Sequence, residues 1–112
     1  MNIINFKLEK NEEIVINEKK INCIKQNNKI TFVIDGIKYI YDNNIFIKET
    51  DDDKISFDFN KNICTITLKK QELNLNLNID VIENRKKDNI ISIKYKIETE
   101  EDILNIITIE YV

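Results

Sequence analysis

The densest set of chemically capable side chains is an acidic run, Glu49 followed by Asp51, Asp52 and Asp53. Several carboxylate oxygens gathered in one turn suit a hard cation such as calcium, which takes about six to eight oxygen ligands. Calcium loops, however, alternate their ligands with other residues and use glycine to turn sharply. This run does neither, so it reads as a charged turn between strands and no metal is expected. Cys23 and Cys64 stand far apart, outside any Cys-x-x-Cys spacing, and the chain has no His to join them around zinc. They read as reduced core cysteines. Arg85, Lys86 and Lys87 form the densest basic cluster, but Glu83 and Asp88 flank it. A solvated turn explains them better than a phosphate site.

The residue types that are missing exclude more than the present ones propose. Without His there is no Ser-His-Asp or Cys-His nucleophile, and base chemistry near neutrality falls to a perturbed Asp, Glu or Lys. With a single Gly, a phosphate-cradling loop cannot be built, and no cofactor is expected. Paired carboxylates for glycoside hydrolysis need a set separation across a cleft, and nothing local in the sequence fixes one. The expectation is therefore a protein that is not an enzyme. Its net charge of -3 comes from interspersed acids and bases, and Arg85 is the one arginine. Nucleic-acid binders gather positive charge on one face and favour Arg for phosphate and base contacts, so no nucleic-acid partner is expected. No apolar run approaches the ~18 residues of a membrane helix, and the N-terminal residues do not read as a secretory signal. The expected setting is soluble and cytoplasmic, with no membrane partner.

One group of side chains remains as a candidate binding site. Tyr39, Tyr41 and Tyr95 offer apolar rings with hydroxyl handles, a combination common in ligand pockets. The competing reading makes them ordinary core or barrel-end residues. Which holds depends on the elements that position them.

Those elements are strands. The apolar residues are dominated by 25 Ile, against 6 Leu, 4 Val and no Ala, with Asn and Lys in many polar positions. Codons rich in A and T specify Ile, Asn and Lys, so the wealth of Asn is not by itself evidence of an amide-lined site. β-Branched and aromatic residues pack well on a pleated surface, and the apolar period is two almost throughout. In NKITFVIDGIKYIY, Asp35-Gly36 is a favoured two-residue hairpin turn because both positions tolerate positive φ. It sets Ile34 opposite Ile37, Phe32 opposite Tyr39 and Ile30 opposite Tyr41. In KISFDFNKNICTITLKK, a turn at Lys61-Asn62 sets Phe59 opposite Cys64, Phe57 opposite Ile66 and Ile55 opposite Leu68. The polar face then pairs Asp58 with Thr65 and Ser56 with Thr67.

Further strands are expected over residues 2–8, 13–17, 20–26, 45–49, 73–82, 89–98 and 103–111. In QELNLNLNID, alternation puts Leu73, Leu75, Leu77 and Ile79 inside and Asn74, Asn76, Asn78 and Asp80 against solvent. Thr99 with Glu100, Glu101 and Asp102 resembles a helix start, but the following IITIEYV resumes alternation, so this segment is expected to be turn and strand. Short strands joined by polar turns define an all-β antiparallel meander in a single domain, 1–112. Closure into a small barrel removes the exposed edges such a sheet would otherwise carry. A two-sheet sandwich is the alternative, although sandwiches usually need longer crossing connections.

From residue 28 onward, FIKETDDDKISFDFNKNICTITLKK and then LNLNLNIDVIE through IISIKYKIE resemble a family of small bacterial proteins with a calycin-like β-barrel and no established function. The resemblance implies a lipocalin-type barrel, although the Gly-x-Trp that marks lipocalins has no counterpart in a chain without Trp. Small barrels are either filled by their own side chains or hold one small ligand. The functional expectation is a non-catalytic barrel protein binding a small apolar or amphiphilic ligand. The alternative is a protein–protein interaction module acting through a strand edge or acidic face, as monomer or homodimer.

Overall fold

The computed structural model describes residues 2–112, and every regular element in it is a strand. They are β1 (Asn2–Lys10), β2 (Glu13–Gln26), β3 (Lys29–Ile34), β4 (Ile37–Asp42), β5 (Ile45–Glu49), β6 (Asp53–Asp58), β7 (Ile63–Leu68), β8 (Leu73–Lys87), β9 (Ile90–Ile97) and β10 (Glu100–Tyr111). Hydrogen bonding joins them in the cyclic order β1-β10-β9-β8-β7-β6-β5-β4-β3-β2, a closed barrel built as a meander. The segment after Thr99 is strand, as its alternation predicts. Residues 13–17 and 20–26, separate by pattern, belong to one strand. Lys20 interrupts that strand's alternation with a left-handed φ of 55°, and its amide donates to Asn5 Oδ1 at 2.8 Å.

Tight turns explain how so many strands fit in so short a chain. Asn11-Glu12, Asp35-Gly36 and Asn43-Asn44 all have positive φ at both positions, the requirement of a type I′ hairpin turn. Asn and Asp meet that requirement at modest cost because their short polar side chains tolerate the left-handed region.

Internal contacts divide the chain into two compact units, one of residues up to Asn22 together with Asp80–Val112, the other Cys23–Ile79. In the first, β10 lies between β1 and β9 and sets Phe6, Ile109 and Ile91 in one row and Leu8, Ile107 and Ile93 in the next. Ile4, Phe6, Ile93, Ile107 and Ile109 are fully buried. Burying each such side chain contributes about 1.5–3 kcal/mol. The pairing of β10 with β9 shifts between Glu100 and Asn105. Asn11, in the turn after β1, closes this irregular stretch: its side-chain Nδ2 donates to the Asp102 carbonyl at 3.0 Å and its Oδ1 accepts from the Leu104 backbone amide at 2.8 Å.

In the second unit the Asp35-Gly36 hairpin has the predicted register: Ile34 faces Ile37, Phe32 faces Tyr39 and Ile30 faces Tyr41. The β6–β7 hairpin corrects its expectation. Phe57 faces Cys64, Ile55 faces Ile66, and Ser56 faces Thr65. The loop is four residues, 59–62, rather than Lys61-Asn62 alone. Asp58 sets its length, because Oδ1 accepts the amides of Asn60 at 3.0 Å and Lys61 at 3.1 Å, while Asn62 takes a φ of 59°. The shift is two residues, an even number, so every side chain keeps its face.

Candidate ligand-binding face of the second unit

Side chains directly opposite in neighbouring strands share a face, so the registers of β3 to β8 define rows across the apolar side of the second unit. One row runs Ile30, Tyr41, Phe46, Phe57, Cys64, Leu77. The next runs Phe32, Tyr39, Lys48, Ile55, Ile66, Leu75. Beyond them Asp53, Leu68 and Leu73 form a shorter row.

Aromatic rings tie these rows together. Phe32 stacks on Tyr39 at 5.4 Å, Tyr39 on Phe46 at 5.9 Å, and Phe57 on Phe59 at 6.2 Å, with Phe46 and Phe57 tilted at 6.4 Å. Such pairs add about 0.5–1.5 kcal/mol each to the effect of burial. Tyr41 donates its hydroxyl hydrogen to Asn44 Oδ1 at 3.2 Å. Burial, assisted by the nearby Asp35 charge, raises the Tyr39 phenol above its usual value. Burial also pushes the Cys64 thiol up to about 11 and raises that of Cys23. Both cysteines are free and buried, which places them in the core as predicted.

Burial falls along the face. Phe32, Tyr39, Tyr41 and Phe46 are buried, Ile55, Ile66 and Leu77 are half-buried, and Leu73 and Leu75 are each 46% exposed. This corrects the expectation that Leu73 and Leu75 lie inside; Ile79, at the other end of the alternation, is buried. Period two assigns a side chain to a face, but only material packed on that face removes it from water. Asn74 and Asn76 occupy the opposite side and are exposed as expected. There they accept hydrogen bonds from Thr67 at 2.9 Å and Thr65 at 3.0 Å. The amide side of QELNLNLNID is thus a hydrogen-bonded, solvated wall.

Of the three candidate tyrosines, Tyr39 and Tyr41 come together as neighbours on one side of β4. Tyr95 is buried in the first unit, opposite Asn105, whose amide nitrogen lies 3.5 Å from the Tyr95 carbonyl oxygen. Residue type alone does not single out Lys48, but in IFIK it takes the same parity as Phe46 and therefore the apolar side, opposite Tyr39 and Ile55.

The acidic turn between β5 and β6 is engaged with its own surroundings. Glu49 pairs with Lys69 at 2.9 Å, Asp52 pairs with Lys70 at 3.2 Å, and Asp53 Oδ1 accepts the Thr50 hydroxyl at 2.7 Å. The hydrogen bond from Lys69, together with the charges of Lys69, Lys38 and Lys54, holds the Glu49 carboxyl below its usual value despite some desolvation. Among the described residues no group of three or more Cys, Asp and Glu side chains is placed to hold a metal. No helix among them is long and apolar enough to cross a membrane.

The fold and this face define an all-β, closed antiparallel meander barrel whose second unit presents an apolar face only partly withdrawn from water. No protein-family model, curated protein or solved structure matches the chain.

Proposed function

We propose that the protein binds rather than catalyses, and that a small apolar or amphiphilic molecule occupies the apolar face of the second unit. One observation carries this reading. A continuous face that begins in buried aromatic rings at β3 and β4 ends in Leu73 and Leu75, both nearly half exposed to water. Contiguous exposed apolar surface of this kind marks places where something else docks. Tyr39 and Tyr41 lie on this face and serve as its lining; Tyr95 stays in the core of the first unit. The meander barrel supports a calycin-like assignment, and the free thiols of Cys23 and Cys64 support a reducing, cytoplasmic setting.

A second reading, a protein-interaction module, is favoured by a separate observation. Ile24 and Val33, 64% and 58% exposed, lie on the outward face of the same unit, with half-buried Ile40 and Ile47 beside them. Native mass spectrometry of the protein purified from its own cells separates the two. A reproducible small added mass is expected from the first reading, whereas a stoichiometric protein partner or a dimer would favour the second. Bare monomer in every preparation would count against both.

A further inference from the structure

The row Phe32, Tyr39, Lys48, Ile55, Ile66, Leu75 contains one charged residue among five apolar or aromatic ones. Lys48 is half-buried. Its neighbours directly across the sheet are Tyr39 and Ile55. Lys38 and Lys54, by contrast, lie on the opposite face, where both are paired in register with Glu49. Among the described residues no carboxylate lies within ion-pair distance of Lys48. The carboxylate nearest to it in register on the same face is Asp53, whose Oδ1 accepts the Thr50 hydroxyl instead. An ammonium on an apolar face carries a desolvation cost that a counter-charge offsets.

We infer that the occupant of this face is an amphiphile with a single anionic head, that Lys48 receives the head, and that the alkyl chain lies along Ile55, Ile66 and Leu75. This rests on the ligand reading above and adds the head-group chemistry to it. The geometry also sets a length. From β5 to β8 are three strand spacings, about 14 Å, the reach of a medium-length alkyl chain, and the path ends at the exposed leucines of β8.

The test uses three probes of one chain length, dodecanoate, dodecanol and dodecyltrimethylammonium, below their aggregation concentrations. Binding is followed by calorimetry on the full chain, on Lys48→Met, which keeps the apolar stem, and on Lys54→Met as the opposite-face control. Dodecanoate should bind the unaltered protein about tenfold more tightly than dodecanol, as a charge-assisted hydrogen bond at a half-buried site provides, and the trimethylammonium probe most weakly. Lys48→Met should abolish the preference while retaining dodecanol, and Lys54→Met should leave the preference intact. If Lys48→Met does not melt cooperatively, Lys48→Gln carries the same comparison. Equal affinity for dodecanoate and dodecanol in the unaltered protein overturns the anionic-head inference and leaves the ligand reading standing. So does a preference that survives loss of the ammonium, the result expected if Lys48 merely extends its head into water. If none of the three probes binds, the ligand reading falls together with it.

Discussion

Cys64 shows how much one atom's surroundings decide. Its side chain is 1% exposed, opposite Phe57 and Leu77, and burial alone raises the thiol from an ordinary value of 9.0 to about 11. The thiolate is the nucleophile, so near neutrality Cys64 is a small apolar core residue rather than a reactive one. The raised value fixes the sign of its effect on stability. Below pH 9 the thiol is protonated whether the chain is folded or unfolded, and stability does not depend on it. Between pH 9 and 11 the unfolded chain ionises first, and stability falls by up to about 3 kcal/mol. Urea midpoints measured from pH 8 to 11 should therefore drop more steeply for the unaltered protein than for Cys64→Ala. The variant starts lower, because truncating a buried side chain leaves a cavity. It should keep the alkaline decline due to Cys23 and to Tyr39, whose phenol is also raised. Parallel pH profiles for the two proteins would contradict the assignment.

At the scale of elements, turns set strand registers, and side chains set the turns. Asp58 holds the 59–62 loop through two amide hydrogen bonds. Asp58→Ala should cost about 1 kcal/mol, a loss readable as a lower melting temperature, while Asp58→Asn, which keeps the accepting oxygen, should recover most of it. The β5–β6 turn is clasped differently. Lys69 reaches the Glu49 carboxylate at 2.9 Å and the Thr50 carbonyl at 2.7 Å. Because Glu49 titrates below its ordinary 4.5, the clasp is fully present above that value and is lost as pH falls through the lowered one. Both side chains are partly exposed, at 36% and 28%, so the contribution is at most about 1 kcal/mol. Lys69→Met should lower stability at pH 7 by that amount and flatten the acid limb; an unchanged limb would show that other carboxylates govern it.

The same elements show what was legible in the sequence and why. Asp35-Gly36 announces its register because few residue pairs tolerate positive φ at both turn positions. Lys61-Asn62 misleads because Asp58, three residues upstream, offers the backbone a competing side-chain acceptor. The face assignments survive that error, since period two is indifferent to a shift of two. Lys48 was legible by the same parity, once the alternation of Phe46 is carried one step further. Exposure of Leu73 and Leu75 was not legible, because alternation records orientation and carries no information on what covers a face.

Across the whole molecule, nine of the ten neighbour relations in the strand order join strands consecutive in the chain, and β1 with β10 is the exception. Its contacts include the hydrogen bond from Asn5 to Glu110 at 2.7 Å, between residues 105 positions apart. Hairpins form locally and early, whereas bringing distant strands together costs loop-closure entropy before any contact offsets it. The β1–β10 seam should therefore form after the rate-limiting step, and β3–β4, fixed by its two-residue turn, before it. Ile4 on β1 and Ile30 on β3 are both fully buried, so Ile4→Val and Ile30→Val make a matched pair costing about 0.5–1.5 kcal/mol each. In stopped-flow denaturant jumps, Ile4→Val should accelerate unfolding and leave folding nearly unchanged, while Ile30→Val should slow folding. Equal slowing of folding by the two variants would mean that the seam is already closed in the transition state, and that the barrel closes as it folds rather than afterwards.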